Sequence, residues 1–311
     1  MIMTFKKISI SLLLLPALLV VLASAVSAPA ATARQAQKSF ASPEEAVKSF
    51  IEAVRNNDSK AILAILGPGA RDIISSGDPV DDKSVREGFV KRYDEKNAIE
   101  GVDSGKAILS VGNDESPFPI PVVKRGNVWR FETRAGKEEL LNRRIGRNEL
   151  AVIEVLRAYV DAQREYVAKD RDGNGTTEFA QKFRSTPGKK DGLYWAAKEG
   201  EEESPMGPFA AKAAKEGYSK ENTALHGYYY RILKAQGKDA EGGAFDYLVN
   251  GKMILGFAMV AYPAKYGNSG IMTFIVNQNG NVFQKNLGKK SARIATSMKL
   301  FNPDPSWKKV E

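Results

Sequence analysis

The chain has 311 residues, no cysteine, a single histidine and a formal net charge of +9 at neutral pH. These counts exclude a disulfide framework, cysteine–histidine nucleophilic chemistry and any metal site built from several histidines. The charge is interleaved: residues 40–148 set 18 Lys and Arg against 18 Asp and Glu, residues 149–311 set 24 against 19, and no basic stripe marks a nucleic-acid surface.

Lys6 and Lys7 precede an apolar run over residues 8–22, and Ala23-Ser24-Ala25 supplies an A-x-A cleavage pattern. Residues 1–30 are therefore expected to be a secretory signal cut near Ala25, with residues 31–39 as a leader. The run is shorter than the roughly 20 apolar residues of a spanning helix. The expectation is an exported protein, periplasmic or extracellular, with no transmembrane anchor after cleavage.

Ser42-Pro43-Glu44-Glu45 opens a helix with a Ser cap, Pro in the first turn and a capping-box Glu, and Val47, Phe50, Ile51 and Val54 share one face. Asn56-Asn57-Asp58 ends it. A second short helix carries Ile62, Leu63, Ile65 and Leu66 up to Gly67-Pro68-Gly69, and a third, over residues 83–96, presents Val85, Phe89 and Tyr93. Strand patterns follow at 106–111, 120–124 and 128–133, with turns at Gly112-Asn113-Asp114 and Gly126-Asn127. Helices first and a curled antiparallel sheet afterwards is an α+β layout for a domain at 40–148.

The second domain, 149–311, is expected to open on the clearest amphipathic helix of the chain, residues 149–169, with Val152, Val155, Leu156, Tyr159, Val160, Gln163, Tyr166 and Val167 on one stripe. After it, Asp170-Arg171-Asp172-Gly173-Asn174-Gly175-Thr176-Thr177-Glu178 matches the start of a calcium loop. Asp170, Asp172, Asn174, Thr176 and Glu178 are the candidate Ca2+ ligands. Gln181 stands where the bidentate Glu belongs, so a helix-ending Gly/Asn/Asp turn is the competing reading. Strands are expected at 228–234, 253–261, 271–277 and 282–286, with Asn279-Gly280 as a hairpin turn and short helical turns at 209–215 and 291–300.

Several phrases carry resemblances. Ser42-Pro43-Glu44-Glu45-Ala46-Val47, Asn57-Asp58 and Gly126-Asn127-Val128-Trp129-Arg130-Phe131 resemble the cone-shaped family named after nuclear transport factor two, which implies a bent sheet around a helix and a pocket; the histidine of its enzymatic members is absent here. The order of long helix, Asp/Gly/Asn loop and antiparallel meander resembles the globular domains of type IV pilins and pseudopilins, without their apolar assembly helix. Arg143-Arg144-Ile145-Gly146-Arg147-Asn148-Glu149, Asp191-Gly192-Leu193-Tyr194-Trp195, Ser204-Pro205-Met206-Gly207-Pro208, His226-Gly227-Tyr228-Tyr229, 256–263 and Pro303-Asp304-Pro305-Ser306-Trp307 together resemble the bacterial exported family called domain of unknown function 2950. That resemblance implies export and a shared architecture, and no activity.

No G-x-S-x-G elbow, phosphate loop or dinucleotide fingerprint is present, and His226 beside Gly227 and three tyrosines reads as structural. Glu199, Glu201, Glu202 and Glu203 are the densest carboxylates, and Tyr194, Trp195, His226 and Tyr228 are the candidate ligand-binding set. The reading is an exported, non-enzymatic binding or assembly protein of the cell envelope, without nucleotide or redox cofactor, whose partner is an envelope protein or a glycan. The alternatives are a periplasmic enzyme acting on glycans through carboxylates, and a calcium-dependent structural module.

Overall fold

In the first helix, α1 (Pro43–Arg55), the Ser42 hydroxyl accepts from the Glu45 amide at 3.2 Å and the Glu45 carboxylate accepts from the Ala41 amide at 2.9 Å, so the capping box closes one residue early. The computed structural model describes residues 36–171, 173, 175–218 and 223–310; the expected signal sequence, and Asp172 and Asn174, lie outside the described residues. Asp58 caps α2 (Ser59–Leu66) through the amides of Lys60 and Ala61. α3 (Arg71–Ile74) is a single turn.

The third expected helix starts earlier than its apolar residues indicate. α4 spans Pro79–Glu95, because Asp78 caps it through the Val80 and Asp81 amides at 3.1 Å and Pro79 occupies its first position. The strands β1 (Asn97–Glu100), β2 (Lys106–Val111), β3 (Ser116–Pro117), β4 (Val122–Arg125) and β5 (Val128–Phe131) form an antiparallel sheet of order β1-β2-β4-β5, with β3 also on β2. Arg125 and Val128 pair across the Gly126-Asn127 turn.

The long helix is the main departure from the sequence reading. α5 runs unbroken over Thr133–Val167, so the expected division at 148/149 falls inside it. The stripe that residues 134–148 carry, Leu140, Arg143, Arg144 and Arg147, is too charged to read as a core face, and tertiary contacts hold the segment. Gly136 lies so close to the Pro119 carbonyl that a Cβ would overlap it, and Leu140 packs on the first core.

Beyond α5 come α6 (Gly207–Lys215), β6 (Tyr228–Leu233), β7 (Ala235–Gln236), β8 (Phe245–Asp246), β9 (Leu248–Val249), β10 (Lys252–Met253), β11 (Ala258–Pro263), β12 (Thr273–Asn277), β13 (Val282–Lys285), α7 (Ser291–Ser297), β14 (Leu300–Phe301) and β15 (Lys308–Lys309). The principal sheet is antiparallel with order β15-β13-β12-β11-β6. Two small sheets, β14-β7-β8 and β9-β10, flank it. α7 stops before the expected residue 300 because Leu300 and Phe301 pair in parallel with Ala235 and Gln236.

Buried apolar side chains fall into two clusters. One is drawn from residues 40–131 and the other from 152–301, where Val152, Leu156 and Tyr159 of α5 meet Met259, Val260, Phe274 and Ile275. Each large apolar side chain so buried contributes about 1.5–3 kcal/mol. Gln163 sits in the apolar stripe of α5 at no net cost, because its amide exchanges two 2.8 Å hydrogen bonds with the backbone of Ala180. The chain is thus α+β, with both cores in one compact unit of the described residues. No described helix is long and apolar enough to cross a membrane.

Candidate ligand cavity

α4 and α5 each turn one helical face toward a shared space. On α4 the face is Asp82, Val85, Arg86, Phe89 and Arg92; on α5 it is Leu140, Arg143, Arg144 and Arg147, all at spacings of three and four. Phe50, Ile73, Val111 and Phe118 complete the walls of a cavity of about 530 Å³. The rings of Phe50, Phe89 and Phe118 stand 5.2–6.0 Å apart along one side. The space is open at α4 among the described residues: Val85 remains 43% exposed, and a Cβ on Gly88 of α4 would meet no atom within 4 Å.

The charged part of the wall is five guanidinium groups against the single carboxylate of Asp82. Arg144 is fixed in place. It donates to the Asp72 carbonyl at 2.7 Å, to Asn268 Oδ1 at 2.5 Å and to the Ile73 carbonyl, and lies 3.9 Å from Asp82. Burial lowers its pKa from the ordinary arginine value, with the charge of Asp82 acting against that. Burial likewise pushes the Asp82 carboxyl up, opposed by hydrogen bonds from Ser76 and by the charges of Arg144 and Arg86. Arg86 donates through Nη1 to the Ile74 carbonyl at 3.0 Å, while its buried Nε has no hydrogen-bond partner among the described residues. The other three are paired at half-exposed positions: Arg92 with Asp114, Arg143 with Glu139 and Arg147 with Asp81.

The residues singled out from the sequence do not converge on one surface. Trp195 donates from Nε1 to the Glu202 carbonyl at 3.0 Å, and Arg171 stacks between the Trp195 and Tyr166 rings at 5.6 Å from each. Tyr194 lies under the Arg184 guanidinium at 5.1 Å. Tyr228 lines no groove: it is fully buried, and its hydroxyl donates to the Met272 carbonyl at 3.0 Å with Glu149 Oε1 at 3.4 Å. His226 holds a left-handed backbone (φ 51°), with its Nε2 3.7 Å from Glu216 beside a recess of only about 90 Å³.

In the Asp170 loop, one carboxylate oxygen accepts from the Gly173 amide at 2.9 Å and the other from the Gly175 amide at 2.7 Å. Thr176 Oγ1 accepts from the Lys252 ammonium at 2.7 Å, which places a cation of the protein's own beside the loop. Among the described residues no cluster of three acidic or histidine side chains is placed to hold a metal ion. In the 199–203 carboxylate cluster, Glu202 meets Lys169, Lys190 and Arg171 at 2.6–3.0 Å. Those contacts, Lys169 foremost, hold its pKa down to about 2. A general acid needs the opposite shift.

The phrase containing Arg144 also supplies Asn148, whose amide donates to the Ser269 carbonyl at 2.9 Å, and Glu149, whose Oε1 accepts from the Ile271 and Met272 amides at 2.8 and 2.9 Å. The phrase His226-Gly227-Tyr228 meets it there through Tyr228. Against known families, the model for proteins of unknown function, DUF2950, matches residues 37–310. The chain belongs to the DUF2950 family. No curated protein and no solved structure matches it. The DUF2950 match runs through both cores and the helix that joins them. In this DUF2950 chain the cavity residues went unseen in the sequence reading, because Arg86, Arg92, Arg143 and Arg147 look like solvated surface charge. The available signal was their place on stripes shared with Val85, Phe89 and Leu140.

Proposed function

We propose that this DUF2950 protein is an exported, non-enzymatic binding protein of the cell envelope that holds a small, mainly apolar ligand between α4 and α5. The observation that carries this reading is the 530 Å³ cavity, a size usual for small-molecule sites, in which Val85, Phe89 and Leu140 keep apolar surface out of the core. Export rests on Lys6-Lys7, the apolar run and Ala23-Ser24-Ala25. The non-enzymatic part is supported by the environment of Glu202 and by the structural engagement of Tyr228.

The test is titration of the protein with a neutral apolar fluorophore, N-phenyl-1-naphthylamine. Saturable binding is expected, and Gly88→Phe, which puts a ring into open space, should abolish it while the fold is retained. Binding that Gly88→Phe leaves intact would move the ligand site elsewhere. N-terminal sequencing of the protein from its native host should begin between Val26 and Arg34.

A further inference from the structure

We infer that the ligand of this cavity is an anionic amphiphile, an alkyl chain ending in a carboxylate or a phosphate, whose head is received by Arg86, Arg143 and Arg147. The inference rests on the cavity being the binding site and adds the chemical class of its occupant. Three observations carry it.

The first is the charge of the wall. Five guanidinium groups and one carboxylate line the same space; Asp114, Glu139 and Asp81 answer three of the five from outside the lining, and Arg86 and Arg144 share Asp82, so the wall keeps one cation in excess for an anion to answer. Asp82, the one acid present, already accepts the Ser76 amide with both oxygens and faces Arg144.

The second is the state of the donors. Arg86 keeps a buried Nε–H without an acceptor among the described residues. Arg143 and Arg147 are about half exposed and paired with Glu139 and Asp81 at 2.6 and 3.1 Å. The Arg143–Glu139 pair is exposed on both sides and worth little, so Arg143 can turn to an incoming anion at small cost; the Asp81 side chain is only 12% exposed, so Arg147 keeps that pair and offers its remaining N–H groups. Their planar forks match the two oxygens of a carboxylate or a phosphate.

The third is the poverty of other polar groups. Ser116 is the one uncharged polar side chain in the lining, and its hydroxyl is taken by Asp114 at 2.8 Å. The wall offers donors but almost no acceptors, so a sugar or a nucleobase would bury its O–H or N–H donors unanswered, whereas an alkyl chain asks only for Phe50, Phe89, Phe118 and Leu140. One charged end and one apolar end is the shape the wall answers.

The experiment uses the full mature chain with the naphthylamine bound, and displaces it with monomeric dodecanoate, dodecyl phosphate and dodecanol. At least one anion should displace the probe about tenfold more tightly than the alcohol, and that preference should shrink as salt is raised. Which anion wins separates a free acid from a phosphate-headed lipid. The double variant Arg143→Gln/Arg147→Gln, changed at two half-exposed positions, should lose most of the preference and bind dodecanol as before. Equal displacement by all three ligands would overturn the inference and leave the cavity reading standing. Failure of the naphthylamine itself to bind would overturn both. A preference that survives unchanged in the double variant would show that other cations read the anion, and would overturn the assignment to these arginines.

Discussion

The backbone amide of Gly227 donates to the Asp78 carboxylate at 2.9 Å, joining positions 149 residues apart. The same carboxylate caps α4 and accepts from the Tyr218 hydroxyl at 2.8 Å, and Asp78 is fully buried. One side chain therefore sets both the start of the helix that walls the cavity and the loop that leads into β6. Replacing it strands buried donors from both halves. Asp78→Ala is expected to cost about 2–4 kcal/mol of stability by denaturant unfolding, and Tyr218→Phe about 1 kcal/mol. A double-mutant cycle should show the two coupled; additive losses would mean that the 2.8 Å contact contributes nothing of its own.

Two glycines of α5 should respond in opposite directions. At Gly136 a Cβ would overlap the Pro119 carbonyl and the Ile120 amide, so Gly136→Ala should destabilise by about 1–3 kcal/mol. At Gly146 a Cβ meets nothing within 4 Å, so Gly146→Ala should stabilise by about 0.5–1 kcal/mol through helix propensity alone. Thermal melts of the two variants check this, and the same sign for both would contradict the close approach of α5 to the first sheet.

Acid stability should report Glu202. Its folded pKa of about 2 lies below the ordinary glutamate value of 4.5, so its stabilising contribution is complete above pH 4.5 and is lost as pH falls toward 2. Glu202→Gln should therefore be less stable than wild type at neutral pH, where it removes the negative charge that faces the nearly buried Arg171 side chain at 2.6 Å. The difference should close between pH 4.5 and 2. A gap that stays constant with pH would assign the loss to packing rather than to charge.

Calcium should leave the melting temperature unchanged at concentrations near 1 mM, the range of weak extracellular sites. The reason is that both Asp170 carboxylate oxygens already accept backbone amides and hold the turn, and the Lys252 ammonium stands beside the loop at Thr176. Asp170→Ala should still lower stability, by about 1 kcal/mol, through loss of the Gly173 and Gly175 hydrogen bonds. A calcium-dependent rise in melting temperature that Asp170→Ala removes would restore the loop as a cation site.

What could be read in advance was what acts over a few residues. The Ser42 cap, the stop at Gly67-Pro68, the Gly126-Asn127 hairpin and the buried stripe from Val152 to Tyr166 all appear where the pattern placed them. The start of α4 was equally local and was missed, since Asp78-Pro79 is a cap followed by a first-turn proline of the same kind as Ser42-Pro43. The first half of α5 had no such mark. Its charged residues 134–148 are held by Gly136 against Pro119 and by the three acceptors around Arg144 with Asp82 beyond them, none of them near in sequence.

The sequence by itself determined the α+β class, most element positions, the phrases that place the chain in its family, and the exclusion of cysteine and multi-histidine chemistry. Tertiary structure alone decided that Tyr228 is core rather than surface, that α5 belongs to both cores, and that Arg86 and Arg147, on different helices, border one cavity. The physical reason is range. Caps, turns and amphipathic stripes are settled by neighbours within about one helical turn, whereas a cavity exists only where segments distant in sequence pack and leave a space that none of their side chains is long enough to fill.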